Sequence, residues 1–247
     1  MPNSTQAMER RGFGVTRRRD AWWLQPAAVG VGFAIFGVYT TWAAFQGNNY
    51  QWGPYLSPFY SPLVLFDWWK FSPAFLILWI PLGFRATCYY YRKAYYRAYF
   101  LDPPACAVGE LAEHRYCGEN KFPLILQNIH RYFFLLAAIV LAFLWYDAYE
   151  GFFFNGQFGV GIGSLVLLVN AALLSFYSLG CHSLRHWVGG KLDSFHGSPL
   201  RHKCWEGVTR FNENHMLWAW ISLGWVGFTD LYVRMLASGV WTDVRLF

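Results

Sequence analysis

The chain has 247 residues, of which 55% are hydrophobic, 21% aromatic and only 14% charged, with a net charge of +6; a soluble domain carries about 25% charged residues. Two stretches, Ala21 to Phe66 and Gly151 to Leu184, hold no charged residue at all, and each exceeds the roughly 20 apolar residues that carry a helix across a bilayer. Soluble domains are excluded, and the fold class is an all-α integral membrane protein.

Residues 1–20, MPNSTQAMERRGFGVTRRRD, are too long and too arginine-rich for a cleaved secretory signal, and no small-residue cleavage site follows the apolar run. They read as a retained, basic cytoplasmic leader. Residues 21–247 read as a single domain, a five-transmembrane-helix bundle. The first span covers about 22–46. The loop after it, GNNYQWGPYLSPFYSPLVLFD from Gly47 to Asp67, is uncharged until its last residue and rich in Pro and Tyr, as suits a packed cap or a re-entrant segment. The second span, about 72–92, starts at Ser72-Pro73, where proline suits a first helical turn. Its polar continuation, CYYYRKAYYRAYF, leaves the bilayer. The third, fourth and fifth spans cover about 125–146, 159–187 and 214–236. No internal repeat appears, which counts against a transporter built on inverted repeats.

With the N-terminus cytoplasmic and the C-terminus outside, all of the 20 Lys and Arg except Lys70, Arg234 and Arg245 fall on the inner side. This is the positive-inside bias. The net charge therefore reports topology and contact with anionic membrane lipid, and no nucleic-acid partner is implied. Asp230 and Arg234, four apart, pair at the outer end of the fifth helix, and Asn170 in the middle of the fourth makes an interhelical hydrogen bond.

All five cysteines and all seven histidines fall at or beyond the cytoplasmic ends of the spans. Chance would scatter them over both faces. Disulfides are not expected in a reducing cytosol, and single cysteines are often inert small hydrophobes. A cluster of thiols and imidazoles at one depth is a different matter, because ionisable groups within membrane helices are functional candidates by default. Cys88 ends the second span, Cys181 and His182 end the fourth, and His130 and His215 open the third and fifth. His182 and His186 share a helix face. A mixed Cys and His set suits zinc or an iron–sulfur cluster, and two cysteines with two histidines make a Rieske-like [2Fe-2S] centre. Two imidazoles from facing helices, His130 with His182 or His215, would instead hold one haem b. The loop CAVGELAEHRYC places Cys106, His114 and Cys117 together as a weaker zinc candidate. Arg131 beside His130 and Ser183 beside His182 are placed to hydrogen-bond a quinone carbonyl.

Three segments carry a family resemblance: FRATCYYYRKAYYRAYFLDPPACAVGE (Phe84 to Glu110), GCHSLRHWVGG (Gly180 to Gly190) and NENHMLWAWISLGWVGFTDLYVRM (Asn212 to Met235). Together with five helices and large inner loops they resemble the single-subunit membrane anchors of actinobacterial succinate dehydrogenases and fumarate reductases. The resemblance implies a subunit of respiratory complex II in the bacterial plasma membrane. It would dock an iron–sulfur subunit, which carries a flavoprotein subunit, and pass electrons to ubiquinone or menaquinone near the cytoplasmic interface, with Arg131, Ser183, Tyr177 and His186 as the implied hydrogen-bonding residues for the quinone. This chain would hold no succinate site of its own, and the complex can form a higher oligomer. The histidines occupy one depth only, unlike those of two-haem anchors, so the implied cofactor is a [2Fe-2S] cluster held by Cys88, Cys181, His182 and His186, with His130 and His215 as substitutes and one haem b as the alternative. Two other classes compete. A membrane di-iron oxygenase or desaturase lacks support beyond the single HxxxH of His182 and His186, having no H-x-x-H-H box. A non-redox scaffold would leave the cysteines as bystanders.

Overall fold

The computed structural model describes residues 12–111, 119–122, 124–190 and 192–247. His114 and Cys117, and with them the expected loop zinc site, lie outside the described residues. The described chain is helical apart from two small hairpins. Its elements are α1 (Leu24–Gln46), β1 (Gln51–Trp52), β2 (Tyr55–Leu56), α2 (Ala74–Ile77), α3 (Trp79–Ala86), α4 (Tyr89–Tyr95), α5 (His130–Glu150), β3 (Phe153–Phe154), β4 (Gln157–Phe158), α6 (Ile162–Leu179), α7 (His182–Gly189), α8 (Pro199–Glu213) and α9 (His215–Ala237). A π-helical turn, Tyr96–Phe100, extends α4, and a 3-10 turn, Leu124–Ile129, leads into α5.

Three described helical stretches are long and apolar enough to cross a membrane: Leu24–Gln46, Leu124–Glu150 and Ile162–Leu179. Their surfaces agree with that setting. On α1, Val38 is 73% and Phe45 69% exposed, which in water would be an aggregation liability.

The second and fourth expected spans are broken, and the sequence holds the reasons. Pro81 has no N–H to give to the Ile77 carbonyl and its ring crowds that residue, so α2 ends at Ile77 and α3 resumes at Trp79. Further along, Cys88 is extended (φ −68°, ψ 133°) and starts α4. Cys181 adopts nearly the same conformation (φ −63°, ψ 134°) and starts α7, so the helix expected over 159–187 is two helices.

The described chain divides into two compact units. The first comprises the described residues of 1–38 and 86–128, the second those of 39–85 and 129–247. In the first, Tyr99 donates to the Gly30 carbonyl on α1 at 2.7 Å, and the Phe33 and Tyr91 rings sit 5.7 Å apart. Arg92 pairs with Glu119 at 2.5 Å. Residues 14–18 lie along residues 106–109 through backbone bonds between Gly14, Val15 and Gly109 and through Arg18 to the Cys106 carbonyl. The hydrogen bond from Arg18 also holds the Asp20 carboxyl below the usual range.

In the second unit, α6 packs between α5 and α9. Glycines permit close approach: a Cβ on Gly83 would collide with the Phe133 ring, and one on Gly163 with the Tyr55 ring. The loop between α1 and α2 is a packed cap, with Tyr55, Ser57, Phe59, Tyr60 and Ser61 all buried. It closes over the expected Asp230–Arg234 pair, whose members meet at 2.7 Å with both side chains buried. Tyr39 donates to Asp230 at 2.6 Å and Ser57 donates to its other oxygen. Arg234 donates to the Ala43 carbonyl at 2.8 Å and to the Asn48 carbonyl at 3.0 Å. The tail returns to this end: Tyr55, Tyr232 and the Gly163 amide all donate to Asp243.

Removing one partner of a buried ion pair leaves an uncompensated charge and costs about 3–5 kcal/mol. Arg234→Met is accordingly expected to lower the melting temperature of the detergent-solubilised protein sharply. The double replacement Asp230→Leu with Arg234→Met is expected to recover much of the loss. A melting temperature unmoved by the single change would show that the pair does not hold this end together.

Candidate functional site

At the opposite end of the second unit, four helix termini meet. The last turn of α3 brings Phe84 and Arg85, the start of α5 brings His130, the end of α6 brings Tyr177 and Ser178, and α9 opens with His215. Between α6 and α7 the chain turns at Gly180 and Cys181. A side chain at Gly180 would stand 2.9 Å from both His215 Nδ1 and the Phe211 carbonyl, so this joint admits only glycine without displacing the backbone of α8 and the His215 ring of α9.

The four termini are tied by stacked rings. His130 lies flat on Phe84 (4.9 Å, 10°), Phe84 meets Tyr177 at 5.3 Å, and Tyr177 stacks on His215 (4.9 Å, 22°). The guanidinium of Arg85 sits over the Tyr177 ring at 4.8 Å, a cation–π contact, and donates to the Ala219 carbonyl at 3.2 Å and to Ser222 Oγ at 3.1 Å. His130 Nε2 is 3.3 Å from Cys181 Sγ. Phe84, Tyr177, Cys181 and His215 are all buried.

Beside the rings is an apolar cleft of about 50 Å³, lined by Pro81, Phe84 and Arg85 of α3, by Ala137, Val140, Leu141 and Leu144 of α5, and by Leu174, Tyr177 and Ser178 of α6. A pocket that encloses a drug-sized ligand takes roughly 300–1,000 Å³. The cleft as it stands is several times smaller than that. Asn170, expected to hydrogen-bond between helices, does not do so through its carbonyl: Oδ1 is buried and has no hydrogen-bond partner among the described residues. Leaving such an acceptor unmet costs about 1–3 kcal/mol.

The residues singled out from sequence fall into three groups. His130, Cys181, His215 and Tyr177 gather at the site. Arg131, His182 and His186 are exposed, and Ser183 is half-buried outside the cleft lining; the His186 ring lies against Gly190. Cys88 is buried in the first unit. Among the described residues no group of three or more His, Cys, Asp and Glu is placed to hold a metal ion, so the expected four-ligand set is not gathered; what is assembled is the His130–Cys181 pair. For a haem between His130 and His215, the path from one imidazole to the other is filled by Phe84 and Tyr177. The described cysteines 88, 106, 181 and 204 form no disulfide. Arg85 and Phe84 were not foreseen as site residues. Arg85 reads in the sequence as one more inner-side positive charge, and only its contact with the Tyr177 ring separates it from the rest.

An aromatic-rich helical membrane subunit with a ring-lined polar site at its helix ends is the class that fold and site define. The chain matches the family of actinobacterial succinate dehydrogenase subunit SdhC over residues 24–239, and it belongs to that family. It is similar to a chain of the solved Mycobacterium smegmatis Sdh1 complex in the apo form, with 42% identity over 94% of each chain and a TM-score of 0.85. No curated protein matches it. The chain is thus the membrane subunit of a succinate dehydrogenase, a multi-pass protein of the cytoplasmic membrane that assembles with the other subunits of that enzyme.

Proposed function

We propose that this subunit receives electrons from the enzyme's iron–sulfur subunit and delivers them to a membrane quinone at the cleft beside Arg85 and Tyr177. The observation that carries the reading is the convergence of an apolar cleft with a guanidinium, a phenol and the Ser178 hydroxyl on its walls. A quinone needs apolar contact for its ring and donors for its carbonyl oxygens, and donors set in an apolar wall act at low dielectric, where they are strongest. Reduction takes two electrons and two protons, turning each carbonyl into a hydroxyl. Succinate is oxidised on the flavoprotein subunit, so this chain needs no succinate site.

In the bilayer the chain makes five spans, with the N-terminus cytoplasmic and the C-terminus outside. The spans are α1, α2 with α3, the 3-10 turn with α5, α6, and α9, which has 23 residues like α1. The basic loops and leader then face the anionic inner surface.

A second reading rests on the His130–Cys181 contact. An imidazole nitrogen and a thiol at 3.3 Å would supply two of the four ligands that a Cys- and His-bound [2Fe-2S] cluster takes. Such a cluster supplies one-electron relay chemistry.

Three measurements test these readings. In the assembled enzyme, Arg85→Leu or Tyr177→Phe is expected to cut succinate:quinone reductase activity by about tenfold or more, with succinate oxidation by a soluble dye unchanged; full quinone activity in both variants would remove the cleft from the reaction. In vesicles of known sidedness, a variant retaining only Cys204 should react with an impermeant maleimide from the cytoplasmic side, and reaction solely from outside would reverse the topology. Iron and labile sulfide that stay with this chain after the soluble subunits are stripped, and vanish in Cys181→Ala, are what the cluster reading requires; a chain without iron sinks it.

A further inference from the structure

Asn170 is the one buried amide in the middle of α6, the most deeply packed of the three long apolar helices. It is 1% exposed, and its Oδ1 meets no hydrogen-bond partner among the described residues. Leucine or alanine would fill that position in an apolar helix without leaving a polar atom unmet. The amide therefore points to a partner that is not part of the described chain.

Its position says where that partner lies. Residues 170, 174, 177 and 178 follow one another along a single face of α6 at helical spacing, and Leu174, Tyr177 and Ser178 line the cleft. Asn170 lies one turn beyond this lining, on the same face of α6 and toward its N-terminus, the direction in which helical side chains tilt. Seven residues of α-helix separate Tyr177 from Asn170, a rise of about 10 Å. That is about the length of a para-quinone ring with a hydrogen bond of about 2.9 Å at each carbonyl.

We infer that Asn170 is the deep polar contact of the cleft and binds the far oxygen of the quinone in both redox states. This rests on the reading of the cleft as the quinone site. A carboxamide carries two donors and an acceptor on one head. Nδ2–H donates to the carbonyl of the oxidised ring. After reduction the same oxygen is a hydroxyl, and Oδ1 accepts its hydrogen bond. Tyr177 and Arg85 meet the near oxygen, so the ring stands along α6 with its edge between Leu144 and Leu174. Asn170 is a positioning residue for the ring and takes no proton itself.

The test compares the shape-conserving Asn170→Leu and the smaller Asn170→Ala in the assembled enzyme, measured with a short-chain ubiquinone and a short-chain menaquinone. The KM for the quinone is expected to rise about tenfold or more. Succinate–dye activity should be unchanged, and the melting temperature of Asn170→Leu should be kept or raised, because an unmet amide has been replaced by an apolar side chain. Unchanged quinone KM in both variants overturns the inference, as does a raised KM accompanied by a lowered melting temperature in both, the mark of a purely structural role. If KM is unchanged at Asn170 while Arg85→Leu and Tyr177→Phe still lose quinone activity, the inference fails and the cleft stands. If all these variants behave as the parent, the cleft reading fails with it.

Discussion

Arg234 and Asp230 sit one turn apart on α9, both buried, on a helix that holds no other Asp, Glu, Lys or Arg. Hydrocarbon offers no hydrogen bond, so every polar atom taken into such a helix must be met from within the protein. Three sets of groups do this. Tyr39 and the Ala43 carbonyl come from α1, Ser57 and Tyr60 from the loop that follows it, and the Asn48 carbonyl from the turn between them. The ion pair thus draws the loop down over α9. Asp147 and Asp243 repeat the pattern, the first held by Ser61 and the second by Tyr55 and Tyr232. Each carboxylate at this end anchors a different part of the cap.

The other end of the same unit is tied in another way. His130, Phe84, Tyr177 and His215 touch through ring faces, and Arg85 adds a cation–π contact and two hydrogen bonds. Stacked rings hold one another by area and quadrupole, with geometries that vary over an ångström or more at small cost. Directional hydrogen bonds do not tolerate that. A unit with a rigid polar cap at one end and a deformable aromatic joint at the other concentrates its freedom at the aromatic end, where the proposed quinone cleft lies. The small cleft between α3, α5 and α6 is consistent with such a joint at rest.

Much of the cap was legible in the sequence. The i, i+4 spacing of Asp230 and Arg234 and the Pro- and Tyr-rich run after the first apolar stretch carry their meaning in composition alone, because a buried pair and an uncharged loop leave few alternatives. The first, third and fifth expected spans coincide with continuous helical stretches, whereas the second and fourth are broken at Leu78, Cys88 and Cys181. The site was harder. Arg85 looks in the sequence like the other basic residues that mark the inner face, and Phe84 like the many other phenylalanines. Only the packing of four helix ends distinguishes them. His182 and His186 share a helix face as the spacing implies, but that face is turned outward. A spacing rule states which residues are neighbours and not what they point at. Asn170 errs the other way: an amide inside an apolar helix implies a hydrogen bond, and the helix supplies no partner for its oxygen.

The two cysteine breaks show how the chain leaves an apolar helix without stranding its backbone. A helix end exposes up to four carbonyls, and in an apolar setting each needs a donor. At the end of α3 the Ala86 carbonyl receives the Tyr95 hydroxyl at 3.0 Å; at the end of α6 the Gly180 carbonyl receives Asn212 Nδ2 at 2.7 Å. Both donors come from the segment after the break, folded back upon it. Cys88 and Cys181 then adopt the same extended conformation and start the next helix, their small, weakly polar side chains tolerating burial where serine would demand a partner of its own. Irregular backbone at such depth persists only where protein covers it. Arg85, three residues before one break, and Tyr177, four before the other, are carried by the last turns of α3 and α6, so the chain's departures from regular helix are what bring the guanidinium and the phenol to one site.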